Sequence, residues 1–212
     1  MNPLVLKGVA GALSLTAVAG IVKLSIGSSR IPQPISLLLE KHRPDKRLLF
    51  KARKGSDPDW KSAWQRYLSA YSGLDKNPFS VNLSSSGNGD APNEFMDGCE
   101  ALFKEKVLSI DDYKYEQVLE YCTRDTLVSD FAWEEGKQLA DNGSWNDLWK
   151  KYYTSGDDFW NLKNGSYNEG NMNGEFKDKC SKEFNVKTGN PKHPSVTRAI
   201  TYCSKDRPKE QS

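Results

Sequence analysis

The segment WKSAWQRY (residues 60–67) decides how this chain is interpreted, because its pattern occurs twice. Its two tryptophans and its tyrosine stand at i, i+4 and i+7, a spacing that places side chains on one face of an α-helix. WNDLWKKY (residues 145–152) repeats that spacing. The six positions of this aromatic motif are Trp60, Trp64, Tyr67, Trp145, Trp149 and Tyr152. The pattern therefore predicts two similar helices.

The four cysteines show the same duplication. Cys99 and Cys122 are 23 residues apart, and Cys180 and Cys203 are also 23 residues apart. EFMDGC aligns with EFKDKC, and YCTRD aligns with YCSKD, both at a shift of 81 residues. We therefore interpret residues 31–125 as helical repeat 1 and residues 126–206 as helical repeat 2, followed by a tail at 207–212.

Hydrophobic periodicity predicts helices throughout both repeats, whereas the period-2 alternation of strands is scarce. Asp57 before Pro58 predicts a helix N-cap. SIDD (residues 109–112) and SWND (residues 144–147) are typical of capping boxes. The predicted fold class is all-α, with an N-terminal transmembrane helix followed by two tandem small helical repeats.

Residues 1–29 determine the predicted compartment. Fifteen uncharged residues lie between Lys7 and Lys23, and with their apolar neighbours they reach about twenty residues, the length that a bilayer core requires. The same segment fits a secretory signal cleaved after Ala19. We favour a retained anchor, because Lys23 marks an interface. Both interpretations send the following body across a membrane.

Charge argues against a nucleic-acid partner. The chain has 30 basic and 28 acidic residues, and the two excess cations, Lys7 and Lys23, lie in the first 29 residues, which contain no acid. The remaining 28 basic and 28 acidic residues are mixed, without the basic stripe typical of nucleic-acid binding.

The aromatic motif predicts core packing, because a helix with one apolar stripe must bury it. The alternative is an exposed platform for a peptide or a glycan. For the cysteines we expect disulfides within each repeat, Cys99–Cys122 and Cys180–Cys203, since each pair lies on neighbouring helices. Buried thiols in a reducing compartment are the alternative. A zinc site is disfavoured, because closely spaced ligand pairs are missing.

The sequence predicts no catalytic, cofactor or metal site. Common nucleotide-binding, hydrolase and metalloprotease motifs are missing. One of the two histidines, His193, lies in a proline-flanked turn and is interpreted as an exposed loop residue. Two acidic pairs fit helix caps or loops better than a pair of glycosidase carboxylates; they are Asp57/Asp59 and Asp157/Asp158.

Three features together resemble the uncharacterised paralogous membrane-anchored protein families of the hemotropic mycoplasmas. They are the opening MNPLVLKGVAGALSLTAVAG, the segment SDPDWKSAW and the YCTRD/YCSKD pair. The resemblance covers most of the chain as a pattern and is loose between the motifs. It implies a membrane-anchored protein displayed at the surface of a wall-less cell, and it supplies no catalytic residue.

From these observations we expect a non-enzymatic antigen or host-contact protein. Its body would be extracellular, held at the cell membrane by the N-terminal segment or secreted, with a host-surface protein or a glycan as partner. A secreted or membrane-bound hydrolase with an unrecognised site is the alternative. A partner-binding module with an exposed tryptophan stripe is a third hypothesis.

Overall fold

The computed structural model describes residues 31–83, 89–165, 167 and 171–208. In these ranges eight α-helices and six short β-strands follow one another. The helices are α1 (Ile35–His42), α2 (Pro58–Tyr71), α3 (Asn93–Lys104), α4 (Tyr113–Tyr121), α5 (Val128–Glu134), α6 (Trp145–Thr154), α7 (Phe176–Phe184) and α8 (Pro194–Tyr202). The strands are β1 (Gln33–Pro34), β2 (Lys46–Leu48), β3 (Lys106–Val107), β4 (Thr123–Asp125), β5 (Lys137–Leu139) and β6 (Ser204–Asp206).

The all-α prediction is wrong, because three two-stranded antiparallel sheets join the helices into a mixed α/β fold. β1 pairs with β3, β2 with β4, and β5 with β6. Each strand has only two or three residues, too few for an alternation of apolar and polar side chains to be recognised. β4 and β6 are the polar segments TRD and SKD that follow Cys122 and Cys203.

None of the helices in the described ranges is long and apolar enough to cross a membrane. The transmembrane helix of the predicted fold class is therefore not an element of this structure. The segment predicted to form it, residues 1–29, lies outside the described residues.

The two repeats have the same order of elements. Repeat 1 runs α1, β2, α2, α3, α4, β4, and repeat 2 runs α5, β5, α6, α7, α8, β6. In both, the strand after the first helix pairs with the strand that closes the repeat, Arg47 opposite Arg124 and Gln138 opposite Lys205. The β1–β3 pair has its counterpart in a single bridge between Leu127 and Lys187.

Each repeat has its own aromatic core. In repeat 1 the ring of Phe95 lies 6.0, 5.1 and 5.0 Å from the rings of the motif residues Trp60, Trp64 and Tyr67. In repeat 2 Phe176 takes the same place, at 6.1, 5.2 and 5.6 Å from the three motif rings of that repeat. All six motif side chains are buried, so their stripe faces the core and not a ligand.

The helix starts differ in detail from the sequence predictions. Asp57 caps α2, since its carboxylate accepts a hydrogen bond of 3.0 Å from the backbone N–H of Asp59. The N-cap of α4 is Asp112, so the box predicted to begin at Ser109 is wrong by three residues. Ser144 precedes α6 as predicted, but its side chain makes no capping hydrogen bond.

Candidate functional site at the junction of the two repeats

Both predicted disulfides are present in the structure. Cys99–Cys122 joins α3 to the residue after α4, and Cys180–Cys203 joins α7 to the residue after α8. The Cα atoms of the two pairs are 5.5 and 5.2 Å apart. All four cysteines are buried, and none is free. Each bond closes a loop of 23 residues, which stabilises the fold by about 3 kcal/mol in the chain-entropy model.

The repeats meet through backbone contacts around Thr126. Its backbone N–H donates to the carbonyl oxygen of Asp45 at 2.9 Å, and its buried hydroxyl donates to the carbonyl oxygen of Pro44 at 2.8 Å. From repeat 2, Gly189 packs against the same turn so closely that a Cβ there would lie 2.6 Å from the Asp45 nitrogen. The turn after α1 and the loop before α8 therefore fit together only because residue 189 has no side chain.

Ion pairs cross the junction beside these contacts. One carboxylate oxygen of Asp125 pairs with Lys46 at 2.7 Å, and the other pairs with Lys187 of repeat 2 at 2.6 Å. Hydrogen bonds from Lys187 and Lys46 lower the pKa of Asp125 to about 2. Arg47 of repeat 1 pairs with Glu134 of repeat 2 at 2.6 Å.

Arg124 makes the most buried of the cross-repeat pairs. Its guanidinium donates two hydrogen bonds, of 2.8 and 2.6 Å, to the carboxylate of Asp130. Burial alone would raise the pKa of Asp130, but the hydrogen bonds from Arg124 and from the Leu127 N–H lower it. Arg124 also lies 3.4 Å from the carboxylate of Asp59. Asp59 is therefore part of this structural network.

A polar cleft of about 640 Å³ opens at this junction. Its charged lining consists of Arg43, Lys46, Arg66, Arg124, Lys187, Asp59, Glu120 and Asp125. The two remaining cations are also engaged: Arg43 pairs with Asp45 at 2.8 Å, and Arg66 donates to the carbonyl oxygens of Glu120 and Thr123. Because every cation in this lining already has a protein acceptor, the cleft is better suited to holding the repeats together than to binding an anion.

A second cavity, an apolar groove of about 820 Å³, is also lined by both repeats. Its apolar and glycine residues are Leu37, Leu39, Pro44, Leu48, Phe50, Phe103, Phe131, Gly189 and Pro191. Phe50 is 61% exposed and Leu37 is 49% exposed. Large apolar side chains left open in a concave surface are typical of binding sites. The apolar groove is therefore the candidate contact site.

Arg47 contributes a charged side chain to the lining of this groove. Its guanidinium carbon lies 5.6 Å from the centre of the Phe131 ring, and its terminal nitrogen pairs with Glu134. Its Nε–H is buried and has no hydrogen-bond acceptor among the described residues. A buried donor without an acceptor is costly, and the ion pair with Glu134 holds this guanidinium at the edge of the groove.

The other residues considered for catalysis, Asp157, Asp158 and His193, lie in a loop and at the start of a helix, where two of them make hydrogen bonds that stabilise the fold. Asp157 and Asp158 are both exposed, and the Asp158 carboxylate accepts hydrogen bonds from the Tyr152 hydroxyl and from two backbone N–H groups. His193 is the N-cap of α8, since its Nδ1 accepts a hydrogen bond of 3.2 Å from the Ser195 N–H. In the described ranges, no group of three or more His, Cys, Asp or Glu residues could hold a metal ion.

Sequence reasoning did not find the junction or the groove. The available signal was the repeated polar segment after each second cysteine, in which Asp125 aligns with Asp206 and Arg124 aligns with Lys205. From sequence, that segment is interpreted as the end of a helix. Only its pairing with β2 or β5 in the structure shows that it is a strand. Phe50 belongs to none of the sequence motifs, so no pattern indicated its exposure.

Comparisons of the chain with protein-family models, curated proteins and solved structures found no significant match.

Proposed function

We propose that this chain is a non-enzymatic contact protein that works outside the cytoplasm, at a cell surface. The observation that carries the proposal is the state of the cysteines, since all four form disulfides inside their own repeats. Disulfides persist in oxidising compartments and are rare in a reducing cytosol. The uncharged stretch in residues 1–29 supports export by a membrane-associated segment or a signal.

The apolar groove is the surface proposed for contact with a partner. Phe50 and Leu37 offer exposed apolar area in a concave surface that both repeats line. A protein segment can bury large apolar side chains against this area, whereas a glycan presents mainly hydroxyl groups. We therefore favour a protein partner over a glycan. The resemblance to surface families implies that this partner belongs to a host.

Peptide mass mapping without reduction, on chain isolated from a membrane fraction of the native cell, tests the compartment. We expect linked Cys99–Cys122 and Cys180–Cys203 peptides. Free thiols in freshly alkylated cells would place the body in a reducing compartment and would refute the proposal.

Binding of labelled chain to intact host cells tests the groove. Phe50→Asp should abolish binding, because a carboxylate cannot be buried against an apolar partner surface without cost. Leu74→Asp is the matched control, since Leu74 is also exposed and does not line the groove. Protease treatment of the cells should remove binding. Loss after glycosidase treatment instead would identify a glycan, and equal binding by both variants would exclude the groove.

A further inference from the structure

Four exposed apolar side chains lie just before β1 and in the segment that runs from β3 to the first residue of α4. Ile31 is 72% exposed and Leu108 is 58% exposed, and Ile110 and Tyr113 are also exposed. The β1–β3 pairing places Gln33 opposite Val107, which brings the segment before β1 beside the segment after β3. We call Ile31, Leu108, Ile110 and Tyr113 the entry face.

Repeat 2 has different residues on the equivalent face. At the shift of 81 residues, Leu108 corresponds to Gly189, Ile110 to Pro191 and Tyr113 to Pro194. In repeat 2 this face is covered, because Gly189 packs on the Pro44–Asp45 turn of repeat 1. Repeat 1 thus has larger apolar side chains than repeat 2 at these aligned positions.

A second copy of this chain cannot cover the entry face in the same way. At residue 189 a Cβ atom would already lie 2.6 Å from the Asp45 backbone, closer than side-chain carbons approach such atoms. Leu108 has a Cβ and three further carbons at that position. The contact that joins the two repeats is therefore sterically blocked at the entry face, so a second copy of this chain is not the expected occupant.

The apolar N-terminal stretch lies close in sequence to the entry face. Ile26 is the last residue of the apolar N-terminal stretch, and only residues 27–30 separate it from Ile31. Five residue steps span at most about 18 Å, even when fully extended. If the N-terminal segment is associated with a membrane, Ile31 therefore stays within about 18 Å of the lipid, and the β1–β3 pairing keeps Leu108 near it.

We propose that the entry face inserts into the lipid surface and fixes the orientation of the body on the membrane. This inference rests on the membrane association in the proposed function. Isoleucine and leucine side chains enter the boundary between headgroups and acyl chains, and tyrosine favours the same depth. Asp111 and Asp112 lie in the same segment, so neutral lipid is the expected surface and anionic lipid is not required.

Fluorescence quenching on the full-length chain tests this orientation. Leu108→Cys is labelled with an environment-sensitive fluorophore and reconstituted into phosphatidylcholine vesicles that contain a lipid spin-labelled near the headgroup. Trp133→Cys is the matched control. Trp133 is 57% exposed and lies beside the Gly136 turn, the repeat 2 counterpart of the turn that contacts Gly189. Non-reducing peptide mapping verifies that both disulfides stay intact in each variant.

We expect the label at residue 108 to be quenched severalfold more than the label at residue 133, with a blue-shifted emission. Equal quenching at both positions, or none at either while the chain floats with the vesicles, would overturn the orientation and leave membrane association standing. A chain that does not float with the vesicles would overturn both.

Discussion

Gly189→Ala is the sharpest test of how the two repeats fit together. The added Cβ would lie 2.6 Å from the Asp45 nitrogen and 2.9 Å from both the Asp45 Cα and the Pro44 carbonyl carbon. Ordinary contacts of a Cβ begin near 3.4 Å, so the loop must retreat by about 0.8 Å. All three atoms belong to the backbone, so no side chain can rotate away. Overpacking of this kind costs about 1–3 kcal/mol.

Displacing this loop should also weaken the interactions made by the residues next to Gly189. The Thr188 N–H donates to the Thr126 carbonyl oxygen at 3.0 Å, and Lys187 pairs with Asp125. Urea unfolding followed by tryptophan fluorescence measures the loss of stability, after a check that the two repeats unfold as one unit. Amide hydrogen exchange at Thr188 should become faster.

Gly156→Ala is the control for this experiment, because a Cβ at residue 156 would meet nothing within 4 Å. We expect it to leave the free energy of unfolding nearly unchanged. If the two alanine variants are equally stable, the tight contact between Gly189 and the Pro44–Asp45 turn does not hold the repeats together, and the account of the junction is refuted.

Three further predictions concern the core and the ion pairs. Trp149→Ala should lower the free energy of unfolding by about 3–5 kcal/mol. Trp133→Ala, at a half-exposed ring on which the Arg207 guanidinium stacks, should cost only about 0.5–1 kcal/mol; equal losses in urea unfolding would contradict the burial of the aromatic motif. Thr126→Val should cost about 1–3 kcal/mol, because the Pro44 carbonyl oxygen loses its donor, and a neutral result by calorimetry would show that this hydrogen bond contributes little. Asp125→Asn should cost about 1 kcal/mol at pH 7 after allowance for solvent screening. The pKa of Asp125 is lowered from 3.8 to about 2, so this stabilisation is present above pH 4 and is lost as the pH falls through 2. Unfolding free energies measured from pH 7 to pH 2 should therefore converge for the variant and the original chain, and Asp206→Asn, at an exposed pair inside repeat 2, should have a smaller effect throughout.

Part of the architecture could be predicted from sequence because it depends on short-range spacing. A helix places residues i, i+4 and i+7 on one face whatever surrounds it, so the aromatic motif identified six side chains that are buried. The equal spacing of the cysteines selected the disulfide pairing among three alternatives, and the structure contains that pairing.

The sheets and the groove could not be predicted in this way. Strands of two or three residues have no readable period, and each pairs with a partner tens of residues away. Phe50 became a candidate contact residue only through its exposure in a cavity that both repeats line. Such exposure depends on every neighbouring element, and no local pattern encodes it.

The sequence by itself determined the repeated helical motif and the pairs of cysteines, because these follow from regular spacing along the chain. Only the tertiary structure decided that the repeats join through Thr126 and Gly189. The Thr126 hydroxyl and the Pro44 carbonyl are 82 residues apart in sequence. A glycine is required at 189 solely because another segment's backbone passes within van der Waals distance of it. At the equivalent position in repeat 1, Leu108 has room for its side chain, which is 58% exposed.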